Sequence, residues 1–230
     1  MIRTRAHALG LLLAAVGALG ACGGEDTPQR PDNPMVTIRF LGPDGEPFTP
    51  RHVSLSELKP FGEHSMSWNL NAWGGDVYTD EGDVQLVPGE RYALLLASWT
   101  EGVFDATTIY FVAREGPIDL GTIDLRLHGF SVISPADGIT ATAYPIDFAW
   151  TPYANPAFAQ ATYEMSLWGY GGARGSVTMR PSLSTAFRLE ATDAERLGSR
   201  EARWKVYVWL STPEGFEVQH ISKPFVLKLP

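Results

Sequence analysis

Apolar and polar residues alternate over short stretches along most of this 230-residue chain. In VTIRF the inward set is Val36, Ile38 and Phe40; in SMSWNLNAW it is Met66, Trp68, Leu70 and Ala72, with serines and asparagines on the other side. A period of two marks a half-buried antiparallel strand. Later in the chain the same alternation sets Ile146, Phe148 and Trp150 against Trp204, Val206, Val208 and Leu210, as two facing sheets require. Gly, Pro, Asn and Asp interrupt the runs about every ten residues, a turn spacing typical of all-β chains. One weak helical patch covers 191–197. The pattern predicts an all-β protein of two tandem antiparallel β-sandwiches after a cleaved signal and a flexible tether.

The N-terminus departs from alternation. Arg3, Arg5 and His7 precede an apolar run over 8–21, too short to cross a hydrocarbon core as a helix and laid out as a secretory signal, 1–21. Leu19, Gly20, Ala21 and Cys22 resemble the lipobox of bacterial lipoproteins. That resemblance implies a diacylglycerol on the Cys22 sulfur and Cys22 as the first mature residue. An ordinary signal with an incidental cysteine is the other reading, and it leaves a lone thiol in a secreted chain that has only this cysteine. Two or three acyl chains anchor stably where one does not, so the expected partner is a membrane. Residues 22–34 hold no large apolar side chain and read as a disordered tether. In such lipoproteins an aspartate after the cysteine favours inner-membrane retention; Gly23 stands there, which by resemblance favours the outer membrane of the cell envelope.

The turns carry two further resemblances. Gly45–Pro47, Thr79–Gly82 and Pro88–Tyr92 put glycine where φ must be positive and proline where φ is preset. In that order they resemble the carboxypeptidase regulatory-like, transthyretin-like sandwich, which implies a first module at 35–128. Ser134–Gly138, Trp150, Tyr163–Leu167 and Trp204–Val206 resemble a bacterial fibronectin type III-like module, which implies an immunoglobulin-like second sandwich at 129–230. His128 and Gly129 leave almost no linker between them.

Without Arg3 and Arg5 the chain keeps 16 basic against 26 acidic residues, a charge of −10. Residues 35–128 hold 14 acidic and 6 basic side chains, residues 129–230 nine of each. No basic patch stands ready to displace counterions from phosphates, so nucleic acid is excluded as a partner.

The sequence offers no Gly-x-Ser-x-Gly, His-Glu-x-x-His or phosphate-binding Gly-Lys loop, and the protein is read as non-enzymatic and without a cofactor. His52, His64, His128 and His220 are widely spaced. Asp76, Asp80, Glu81 and Asp83 fall within eight residues and supply the oxygen ligands calcium prefers, although the spacing is not that of an EF-hand and an acidic turn explains it equally. GYGGARG, 169–175, lacks the dinucleotide-loop register and reads as a hairpin loop.

Candidate binding residues emerge from the strands' other faces. With Tyr163, Met165 and Leu167 inward, Trp168 faces out, as do Tyr207 and Trp209 beside Arg203 and Lys205; Tyr170 extends the set. Contiguous aromatics on a solvent face mark binding surfaces. Antiparallel register instead draws Trp168 toward Arg203 or Lys205 and Trp209 toward Thr162, as cross-strand packing does. The expectation is an interaction or structural module of the cell envelope with another envelope protein or a glycan as partner. A glycan-binding surface lipoprotein and a calcium-dependent adhesin are the alternatives.

Overall fold

The computed structural model describes residues 36–50, 52–59, 67–73, 76–78, 86–98, 100–158, 160–170 and 175–230. Apart from one short helix, its regular elements are strands, as the alternation predicts.

Residues 36–124 form strands β1 (Val36–Leu41), β2 (His52–Glu57), β3 (Ser67–Asn69), β4 (Asn71–Trp73), β5 (Asp76–Tyr78), β6 (Arg91–Ala97), β7 (Ala106–Val112) and β8 (Ile118–Asp124). One layer runs β4-β5-β1-β8, with β1 and β8 parallel; β7, β6, β2 and β3 are neighbours in a second sheet. Val36, Ile38 and Phe40 of β1 are buried, with Thr37 and Arg39 turned away. Gly45, at φ 83°, closes a turn in which its N–H donates to Gly42 O at 3.0 Å. Gly89, at φ 90°, sits in a turn closed from Glu90 N–H to Val87 O at 3.1 Å. Tyr92 behind that turn is fully buried, and its hydroxyl accepts from Val87 N–H at 3.0 Å, so the phenol goes under without losing a hydrogen bond.

SMSWNLNAW, which reads as one strand, is two. Strand β3 pairs with β2 and β4 with β5, in different layers. The chain changes sheet at Leu70, whose N–H donates to Val53 O at 2.9 Å; Trp68 and Leu70 are partly buried at this corner. Alternation cannot reveal such a corner, because inward positions remain inward in whichever sheet the chain joins. Met66 and the Ala72 side chain lie outside the description.

Residues 132–228 form β9 (Val132–Ser134), β10 (Ile139–Thr140), β11 (Ile146–Trp150), β12 (Ala161–Gly169), β13 (Ser176–Ser182), β14 (Ala186–Leu189), α1 (Ala191–Glu195), β15 (Glu201–Ser211), β16 (Glu217–Ile221) and β17 (Phe225–Lys228). The sheet β14-β11-β9 faces the pair β12-β15. Phe148 meets Trp204 edge-on, centroids 4.9 Å apart at 86°, and Trp150 lies 6.0 Å from Tyr163. The helix has no side-chain cap; it is held by Ala194 and Leu197, both buried.

The two halves share a sheet. Strand β15 is 11 residues long, and both β16 and β17 lie along it, pairing with its C-terminal and N-terminal parts. Between them Val206 N–H donates to Ser222 Oγ and Ser222 N–H to Val206 O, each at 3.0 Å, and Pro224 has no N–H to continue the ladder. The break lets β17 pair with β10 while β16 presents its other edge to β7, giving five antiparallel residue pairs from Glu217↔Tyr110 to Ile221↔Ala106. Among the described residues the resulting sheet has ten strands, and the core beneath it is one cluster from Val36 to Leu229. The connection between halves is a tight turn: Phe130 N–H donates to Leu127 O at 2.7 Å, with His128 at φ 44° and Gly129 at φ 79°.

Candidate binding face

The outer side of this sheet carries the four aromatic candidates, and the structure divides them into two groups. Register places Thr162 opposite Trp209, Glu164 opposite Tyr207, Ser166 opposite Lys205 and Trp168 opposite Arg203. Tyr207 and Trp209 lie near the seam. Trp209 Nε1–H donates to Glu164 Oε2 at 3.2 Å, and its ring stacks on Tyr110 of β7, centroids 5.6 Å apart at 21°. The Tyr110 hydroxyl donates to Gln219 Oε1 at 3.3 Å on the strand between them. Burial, with the Glu164 carboxylate beside it, pushes the Tyr207 phenol up; burial likewise raises that of Tyr110. Both phenols therefore stay protonated as hydrogen-bond donors at neutral pH.

Trp168 and Tyr170 form the second group. The Arg203 guanidinium lies 4.0 Å from the Tyr170 ring centroid, and Tyr170 leaves 47% of its surface exposed. The GYGGARG hairpin is closed by Gly169 N–H donating to Gly175 O at 3.1 Å. Gly175 also has a packing role, since a Cβ there would overlap Arg196 O.

Below the seam lies a buried polar group. His220 on β16 is fully buried, flat against Phe104 at 4.6 Å and 4°, with Nδ1 2.9 Å from Thr107 Oγ1. Burial pushes its pKa down to about 3. Nearby, Asp124 receives Arg126 Nη2–H at 2.6 Å and lies 2.7 Å from His128 Nε2. Burial alone would raise this carboxyl, but the bonds from Arg126 and His128 more than offset it and hold it below its usual range.

Cys22, Asp80, Glu81, Asp83 and His64 lie outside the described residues; Asp76 opens β5, and only its backbone is described. Among the described residues no group of three or more His, Cys, Asp or Glu can hold a metal, and no helix is long and apolar enough to cross a membrane. Tyr110 and Gln219 complete the Trp209 cluster but are not among the sequence candidates. In ATTIYFV, Tyr110 does alternate outward between Ile109 and Phe111; nothing local tells that β7 meets β16.

No protein-family model matches the chain, and no curated protein does. Among solved structures it is similar to a DUF3823 family protein from Bacteroides ovatus, at 15% identity and a TM-score of 0.32, covering 86% of this chain and 100% of that one. A Bacteroides uniformis protein, provisionally described as carbohydrate binding, is similar at 10% identity and a TM-score of 0.29, covering 85% and 100%. The FN1–FN3 domains of chicken CNTN1 are similar at 15% identity and a TM-score of 0.22, covering 75% of this chain and 56% of that one.

Proposed function

We propose that this protein is a non-catalytic interaction module of the bacterial cell envelope, tethered to the outer membrane by lipid on Cys22 and binding its partner through the outer face of the shared sheet. The observation that carries the reading is the aromatic cluster at the seam, to which one half gives Tyr110 and the other Tyr207 and Trp209. A face assembled from both halves is held in one geometry by the ladder beneath it, which lowers the ordering cost of binding. The regulatory-like and fibronectin-like resemblances agree with a scaffold that presents surfaces.

A saccharide suits this face. Sugar C–H faces pack on aromatic rings, while the Glu164 carboxylate supplies an acceptor beside them. The test is a glycan array probed with the wild type and Tyr207→Ala. Retention of at least one glycan by the wild type, and its loss at unchanged melting temperature in the variant, is expected; equal binding by both proteins contradicts the assignment of the face. For the anchor, Cys22→Ser is expected to leave the membrane fraction, and a variant still processed and membrane-bound contradicts the lipid assignment.

A further inference from the structure

The seam between the halves has a titratable group built into it. In the ladder His220 stands opposite Thr107 of β7 on one side and Val208 of β15 on the other, so its ring lies directly under the strand pairing that joins the halves. Phe104 covers one ring face, Tyr153 lies 5.6 Å away at 50°, and among the described residues no atom bonds Nε2. Three ionisable groups from other elements face it. Asp124, at the end of β8, favours a charge on the ring, and His128 in the connecting turn opposes one. The Tyr153 hydroxyl accepts from Asn155 Nδ2–H at 3.1 Å. Lys205 and Asp105 approach to 3.9 Å across the seam, another charge pair joining the halves.

We propose that His220 makes this seam an acid-sensitive joint: protonation of the ring opens the β7–β16 pairing while each half keeps its own fold. A proton on a sealed imidazole without a second partner brings a charge into apolar surroundings, and water reaches the ring only when β16 parts from β7. The buried ring resists the proton, consistent with its depressed pKa, whereas the opened ring takes it with an ordinary pKa of about 6.5. Acid therefore favours the open form. Opening is almost unaffected at pH 7.5 and rises about thirtyfold by pH 5, approaching tenfold per further pH unit.

Amide hydrogen exchange of the intact chain at pH 7.5, 6 and 5, corrected for intrinsic exchange, tests this. Opening of those amides in 106–110 and 217–221 that donate across the β7–β16 pairing is expected to rise about thirtyfold between the end points while those of 36–41 and 163–167 do not change. An equal rise everywhere, or none at the seam, overturns the proposal. His220→Asn is expected to abolish the pH dependence, and its persistence overturns the assignment. His128→Asn is expected to retain it; loss there transfers the titration to His128 and likewise overturns the proposal.

Discussion

Trp209 stacks on Tyr110, ring centroids 5.6 Å apart and planes at 21°, although 99 positions separate them in sequence. The pair reaches over β16 and ties the outer faces of the two halves together, so an aromatic at a solvent-facing position also has a structural role. A double-mutant cycle with Tyr110→Ala and Trp209→Ala, read by urea denaturation, is expected to give a coupling energy of about 0.5–1.5 kcal/mol. Strictly additive effects would show that the rings do not hold one another.

The inward tryptophan belongs to a different regime. Trp204 is fully buried, with Phe148 and Phe225 rings each 4.9 Å away. Trp204→Ala removes most of that volume and is expected to cost about 3–5 kcal/mol. A melting temperature within one degree of wild type would contradict the packing described.

Alternation makes much of this legible: the buried sets of β1, β11 and β15, and the outward positions of Trp168, Tyr207 and Trp209, follow from a period of two. Pairing across long separations does not. The partner of β16 depends on the break at Ser222–Pro224, and Tyr110 and His220 take their meaning only from that pairing. The corner at Leu70 is hidden for a related reason, since both sheets want the same inward residues.

Gly175 offers a test at the far end of the outer face. A Cβ there would meet backbone atoms of Arg196 and Leu197, which have no flexible end to move aside. Gly175→Ala is expected to cost about 1–3 kcal/mol in chemical denaturation. A neutral substitution would mean that the hairpin does not press on the end of α1.

Asp124 links stability to pH. Its folded pKa lies below the unfolded value, so its contribution is complete above the unfolded pKa and is lost as pH falls through the folded one. Asp124→Asn removes the ion pair with Arg126 and the carboxylate oxygen beside His128 Nε2, an expected loss of about 1.5–3 kcal/mol at pH 7. The deficit relative to wild type should shrink below about pH 4, where the unfolded carboxyl takes up a proton before the native one does. A deficit independent of pH would assign the loss to packing instead of charge.

The binding face and the acid-sensitive joint both require that the halves be fused through the β7–β16 ladder and a common core. Differential scanning calorimetry of the intact chain at pH 7.5 tests that fusion directly. One transition is expected, with calorimetric and van't Hoff enthalpies in agreement; two separable transitions, unchanged in position by Trp209→Ala, would show two independent sandwiches and contradict the account.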